Sequence, residues 1–330
     1  MMTESSYRKI DRYRPVGNGS SAACGNECRM SMIPSRMAAA LLLLSTGAVA
    51  QGDLGHKILG AVGLDAGIQP EEGVYAGDRF IYFSADRLRD RRGRPVPVKG
   101  LDIDAYANVV GISATYKPEG GPYLSAALAV PVAWLSTKAD APAADIDRFG
   151  LGDVFVEPLK VGWRLPHLDT VASYSFYAPT GQADRKGLGR PQWTQQFSLG
   201  GTLFFDDERT FRLSALASYN RYHEKIGIDV TRGDSVQLQG GLGGRWFQVL
   251  DAGIVGYALW QVADDRGSDL PPALRGAREH VFGLGPEIGV TIPALRARLT
   301  ARYEWDFGAE SRPEGQVLVV GLSFLAWRPQ

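Results

Sequence analysis

The segment ALRARLTARYEWDF, Ala294 to Phe307, repeats its chemistry every second residue. Leu295, Ala297, Leu299, Ala301, Tyr303, Trp305 and Phe307 form one set. Arg296, Arg298, Thr300, Arg302, Glu304 and Asp306 form the other. A helix would spread both sets around its circumference, whereas a β-strand sends them to opposite faces. One face is then wholly apolar and the other carries five charges. This pairing limits the fold more than any other feature, because each face needs a different solvent.

The same period runs through the rest of the chain. Phe197, Leu199, Gly201, Leu203 and Phe205 alternate with Gln196, Ser198, Gly200 and Thr202. Phe211, Leu213, Ala215, Ala217 and Tyr219 alternate with Arg212, Ser214, Ser218 and Asn220. Val236, Leu238, Leu242 and Trp246 alternate with Ser235, Gln237, Gln239 and Arg245, and Ile103, Ala105, Ala107 and Val109 with Asp102, Asp104, Tyr106 and Asn108. No long stretch has the 3.6-residue period of an amphipathic helix. The 40 glycines suit turns and strand kinks. The pattern predicts about twelve strands, at 74–86, 100–116, 122–135, 150–164, 168–178, 194–206, 210–222, 235–248, 252–263, 279–291, 295–307 and 316–327.

The connections alternate in length. Short ones fall at Lys117–Gly121, Pro166–His167, Asp206–Arg209, Val249–Asp251 and Pro293–Ala294. Long ones fall at 87–99, 136–149, 179–193, 223–234, 264–278 and 308–315. A transmembrane β-barrel with periplasmic turns and longer outer loops is built this way. Trp163, Trp246 and Trp327 fall near the short-turn ends of their strands, and Trp134, Trp193, Trp260 and Trp305 near the long-loop ends. Two aromatic girdles produce that distribution. A soluble antiparallel sandwich predicts the same alternation but neither the turn lengths nor the girdles. The expected fold is therefore all-β, an antiparallel transmembrane up-and-down β-barrel of about twelve strands. The face Leu295–Phe307 looks at lipid, because a charge there costs roughly 2–4 kcal/mol at the bilayer midplane. The last strand, Val317–Trp327, is apolar and closes on an aromatic residue, a feature the barrel-assembly machinery reads, although Arg328-Pro329-Gln330 follows.

The N-terminal region reads as an export signal. Arg36 precedes the apolar run Met37–Leu44, and Ala48-Val49-Ala50 is a small-residue cleavage site before Gln51. The expected organisation is an upstream extension with a misassigned start (1–29), a signal peptide (30–50), a periplasmic or lumen segment (51–72) and the barrel (73–330), placed in a Gram-negative outer membrane. Cys24 and Cys28 are the two cysteines, and no partner ligands follow them, so no metal is expected. Cleavage near Ala50 removes six basic and three acidic residues. It leaves 30 basic and 33 acidic, a net charge of −3, without the basic excess of a nucleic-acid surface.

The candidate solute path is a charged lumen ladder. Arg296, Arg298 and Arg302 line one strand, Lys160, Arg164 and Arg245 add positive charge, and Asp102, Asp104, Glu287, Glu304 and Asp306 oppose them. Such a ladder filters polar solutes, or it is a salt-bridged network that stiffens the barrel. The basic loop Asp86–Arg94 either contacts lipopolysaccharide or is solvated. Pro179-Thr180-Gly181 is a turn opening a long loop, and Asp264, Asp265 and Asp269 lack the spacing of an EF-hand. His56, His167, His223 and His280 are scattered, with no nucleophile elbow and no HExxH, so neither catalysis nor a cofactor is expected.

Several segments in order resemble the family of outer-membrane proteins associated with the meta-pathway of phenol degradation. They are Gly73-Val74-Tyr75 with Phe80-Ile81-Tyr82-Phe83, Gly150-Leu151-Gly152-Asp153 with Pro158–Trp163, and Tyr177–Gly181. Val255-Gly256-Tyr257, Gln261–Asp265 and Gly285-Pro286-Glu287 follow. The chain departs from the family at Arg232-Gly233-Asp234, where a Ser-Gly-Asp turn is common. The resemblance implies an outer-membrane barrel for passive uptake of small, aromatic or hydrophobic molecules. The alternatives are a non-conducting structural or surface-interaction barrel with a plugged lumen, and an outer-membrane lipid-modifying enzyme. Expected partners are outer-membrane lipid and lipopolysaccharide, a small-molecule solute and the barrel-assembly machinery, with no nucleic acid.

Overall fold

The computed structural model describes residue 56, residues 59–181 and residues 188–329, all within one unit, Pro34–Gln330. The expected upstream extension, signal peptide and cleavage site lie outside the described residues. Thirteen strands follow one another: β1 (Gly73–Leu88), β2 (Asp102–Tyr116), β3 (Tyr123–Asp140), β4 (Ala143–Leu151), β5 (Val154–Arg164), β6 (Leu168–Ala178) and β7 (Thr194–Phe204). Then come β8 (Phe211–Tyr222), β9 (Ser235–Trp246), β10 (Leu250–Gln261), β11 (His280–Ile292), β12 (Ala297–Glu310) and β13 (Pro313–Trp327). Sequence neighbours pair antiparallel, except that β4 and β5 both pair with β3, and β1 pairs with β13 to close the ring. Closure leaves no free sheet edge in the lipid-spanning wall, as a membrane interior requires.

The barrel has twelve staves, because β4 and β5 share one. The outer half of β3, Val132–Asp140, pairs with β4, and its inner half, Tyr123–Ala129, pairs with β5. The break falls at Gly152-Asp153, where the Gly152 N–H donates to the Pro131 carbonyl at 2.9 Å. Two connections expected as long loops are strand instead. The span 136–149 is a hairpin of β3 and β4, and 308–315 shrinks to a tight turn between β12 and β13. TKADAPAADID carries few large apolar residues, and the small ones Ala139 and Ala144 pack on Leu88 and Leu101, so its strand character leaves little alternation to read.

Face assignment follows from register. Leu295, Leu299, Trp305 and Phe307 are exposed, and all seven tryptophans are exposed by 37–59%. A water-soluble core would bury these indoles, whereas a lipid-facing wall must present them. Arg302, Glu304 and Asp306 point the other way and are buried. Asp78 is a departure, a carboxylate on the outer wall that accepts from Asn108 Nδ2 at 2.7 Å.

The segment before β1 lies inside the barrel. Gln69 Nε2 donates to Ser125 Oγ near the short-turn end, and Arg164 Nη2 donates to the Gln69 carbonyl at 2.8 Å. From there the chain rises along the inner wall through Leu64 and Gly60 to His56, which reaches the β4–β5 break. Of the two placements expected for 51–72, the described part takes the lumen.

Candidate functional site

The lumen has two unlike walls. On β8–β12 the inward side chains are largely buried, and many are polar or charged: Ser214, Ser218 and Asn220 on β8, Gln237 and Gln239 on β9, Asp251 on β10, and Glu287 on β11. The N-terminal segment bonds to Arg212, Ser214, Gln239 and Glu287 of this wall. Leu64 is fully buried and seats where a Cβ on Gly241, Gly243 or Gly253 would come within 3.1 Å of its Cδ2. Those glycines form its socket. Around it Arg212 Nε and Ser214 Oγ donate to the Leu64 carbonyl at 3.1 and 2.5 Å, and the Leu64 N–H donates to Glu287 Oε2 at 3.3 Å. Gly67 runs against the Gly201 main chain so closely that any side chain there would collide. Leu59 joins Tyr257, Leu259, Val281 and Ala309 in an apolar cluster on the same wall.

Charge fixes this arrangement. Asp251 is buried and meets three guanidiniums: Arg212 at 2.8 Å, Arg245 at 3.0 Å and Arg298 at 3.1 Å. Arg212 and Arg298 also hold Asp65 of the segment. Arg302 pairs with Glu287 at 3.3 Å and donates to the Gly60 carbonyl at 3.1 Å. Asp306 accepts from the Tyr257 hydroxyl and the Gly315 N–H. Glu304 is fully buried against Gly60, and among the described residues neither of its carboxylate oxygens has a hydrogen-bond partner.

The upper end of the segment is latched at the stave break. His56 Nε2 meets Asp153 Oδ2 at 2.6 Å, and Nδ1 meets Thr194 Oγ1 at 2.7 Å. Asp153 also accepts from the Gly181 N–H at 2.9 Å and the Arg190 N–H at 2.6 Å. The His56 ring stacks on Tyr177 at 4.8 Å. The order Thr–His–Asp resembles a nucleophile triad, but all three are buried and the carboxylate is committed to two backbone donors. The trio holds His56 against the wall and ties it to Gly181 and Arg190.

The inward face of β1–β3 differs. Cross-strand partners place Arg79, Ile81 and Phe83 of β1 beside Val109, Ala107 and Ala105 of β2, and Ala127, Ala129, Pro131 and Ala133 of β3 continue the wall. All of these are only partly buried, so the described residues leave the lumen beside them partly accessible.

The expected site residues therefore divide. Arg298, Arg302, Glu304, Asp306, Glu287 and Arg245 lie on the lumen side and surround the N-terminal segment. Lys160 faces inward beside Glu157 at 3.8 Å, and Arg164 sits at the short-turn mouth, its guanidinium over the Tyr123 ring at 4.9 Å. Three residues are corrected. Arg296 is not on the strand but exposed in the turn before β12, with φ +48°. Asp102 and Asp104 face outward, toward the long-loop end of β2: Asp102 is exposed, and Asp104 accepts from the Tyr82 hydroxyl at 2.7 Å. The alternation on β2 was right, but polar side chains were assigned to the lumen, and here the apolar set faces in. Reasoning from the sequence missed Arg212, Asp251, Asp65, Asp153 and Arg79. Arg212 carried a signal, as a lone cation in the polar set of its strand. Asp251 looked like a turn residue.

In the outer loops, the basic stretch Asp86–Arg94 is partly neutralised by Arg89–Glu314 at 2.5 Å and Arg94–Asp90 at 3.3 Å. Asp264 pairs with Arg278 at 2.7 Å, which holds its carboxyl below the usual range.

Residues 85–320 match the family described as "Putative MetA-pathway of phenol degradation", and the chain belongs to that family. Among solved structures, an outer membrane channel from Pseudomonas putida F1 superposes with a TM-score of 0.69 at 15% identity. The match covers 79% of this chain and 97% of that one. The β domain of the Bordetella autotransporter BrkA matches at a TM-score of 0.45 and 14% identity, over 76% and 99% of the two chains. A comparison with the curated proteins finds no match.

Proposed function

We propose that the protein is an outer-membrane channel for passive uptake of small hydrophobic or aromatic molecules. Its passage runs off-centre, between the N-terminal segment and the β1–β3 wall. One observation carries this reading: the inward side chains of β8–β12 are largely buried, while those midway along β1–β3 are, Arg79 apart, apolar and partly accessible. Solutes that partition onto Ile81, Phe83 and Val109 lose little by leaving water. The polar ladder lies behind the segment, so it anchors the segment rather than filtering solutes. Family membership and the fold shared with the Pseudomonas putida channel support the reading.

A second reading draws on the same segment. Its ties from Gln69 to His56 are those of a plug, and a barrel closed by a plug serves a structural or surface role. Flux into proteoliposomes separates the two. The channel reading expects benzyl alcohol to enter faster than into protein-free liposomes, and entry at the lipid rate alone would favour the plug. Cleavage near Ala50, contact of Asp86–Arg94 with lipopolysaccharide and recognition of β13 by the assembly machinery belong to the same proposal. Amino-terminal sequencing of the exported chain tests the first.

A further inference from the structure

The β1–β3 side of the passage holds one charge, and on the adjoining β5 Lys160 and Glu157 face in as a pair. Among the inward positions of β1 from Gly73 to Ala85, of β2 from Ile103 to Thr115 and of β3 from Ser125 to Ala139, every residue but Arg79 is uncharged. Register fixes its direction. Arg79 lies opposite Val109 on β2 and Gly321 on β13, and Ile81, two residues on, lies opposite Val319, the partner of the lumen residue Arg302. Among the described residues the Arg79 guanidinium makes no hydrogen bond and no ion pair, whereas Arg212, Arg245, Arg298 and Arg302 of the opposite wall are all paired. An unpaired guanidinium on an apolar surface is costly. Glu287 is in electrostatic reach, but Arg302 and the Leu64 N–H already hold it. Tyr177 is also in reach, and its ring packs on Phe155 at 5.1 Å.

We infer that Arg79 is the recognition residue of the passage and that it selects aromatic carboxylates. The planar guanidinium fork matches a carboxylate in two parallel hydrogen bonds. Ile81 and Val109 receive the flat apolar body beside it, and the Phe155–Tyr177 pair offers aromatic edges. An ammonium of the same size meets an uncompensated like charge. A neutral alcohol gains one hydrogen bond at most. The inference rests on the passage proposed above and names its preferred solute.

The test uses the full chain purified from outer membranes and reconstituted into liposomes. The fluxes of benzoate, benzyl alcohol and benzylammonium are compared. Wild type is expected to pass benzoate about tenfold faster than benzylammonium, the scale of a hydrogen bond to a charged group. Arg79→Leu removes that preference, and Arg79→Lys keeps part of it. Equal wild-type fluxes of the two ions overturn the role of Arg79, as does an unchanged ratio in Arg79→Leu; benzyl alcohol flux then shows that the passage itself stands. A uniform loss of all three fluxes in a folded Arg79→Leu barrel makes Arg79 structural and also overturns it. No flux of any solute through wild type removes the passage and the inference together. If Arg79→Leu fails to give the heat-dependent gel shift of a folded barrel, the wild-type ion ratio and Arg79→Lys decide.

Discussion

The two inner walls of this barrel are built from the same strand alternation and are used in opposite ways. On β8–β12 the polar set faces in, and a segment of the chain's own N-terminal region covers it with salt bridges, a leucine socket and glycine contacts. On β1–β3 the apolar set faces in and stays accessible, with one unpaired cation. Strand period alone does not decide which set faces the lumen. What covers the inner face decides it. A charged inner face is stable when a partner neutralises it, and an apolar inner face is tolerated where a passage needs it.

The largest effect is expected at Asp251, the carboxylate that meets three guanidiniums. Asp251→Ala takes the anion from Arg245 and leaves Arg212 and Arg298 with Asp65 alone. Breaking a buried pair from one side costs about 3–5 kcal/mol. The urea midpoint of the micelle-bound barrel should fall by that scale, while benzyl alcohol flux along the other wall persists.

Next comes the socket. Leu64→Ala empties a fully buried site, and such truncations cost about 2–5 kcal/mol. The loss falls on docking of the segment more than on the strands. Single-channel recordings should show higher and noisier conductance, with a much smaller shift in the barrel's own unfolding midpoint. Val109→Asp probes the opposite wall. It places a carboxylate opposite Arg79 on the accessible wall, so stability should change little and benzyl alcohol flux should drop.

The smallest effect lies outside both walls. Asp206, in a short turn, accepts from the Phe211 and Thr210 N–H groups at 2.7 and 2.8 Å, and the first of these bonds chiefly holds its carboxyl below the ordinary 3.8. A lowered folded-state value stabilises the barrel above the unfolded value, and the effect fades as pH falls through the folded one. Asp206→Asn should therefore be slightly less stable than wild type at pH 7, and the gap should close below about pH 3.8.

Much of the barrel was legible in the sequence because lipid enforces alternation. Strands such as 210–222 and 279–291 were placed within a residue or two of β8 and β11. The β3–β4 hairpin was not, since its packed side is made by small residues, Ala139 and Ala144, that leave a weak alternation. The lumen was harder. Arg298, Arg302 and Glu287 could be seen as inward charges, but their partners Asp65 and the Leu64 N–H lie more than 200 residues earlier in a segment with no strand pattern. Asp104 was sent inward by its polarity, although the exposed Val110 and Ile112 of the same set show that this face of β2 meets lipid. Arg79 sat among apolar residues and looked incidental until the register turned it inward.

The central claim is that one wall is open and the other covered. With Cys24→Ser and Cys28→Ser the chain has no cysteine, so single substitutions report cleanly. Ala107→Cys and Ala129→Cys probe the β1–β3 wall, and Ser214→Cys and Ser218→Cys probe the β8 face. A water-soluble methanethiosulfonate reagent is added to the folded protein in micelles, and labelling rates are followed by mass. Fast labelling at 107 and 129 with slow labelling at 214 and 218 is the predicted result. Equal rates at all four positions, or faster labelling on β8, would contradict the two-walled lumen.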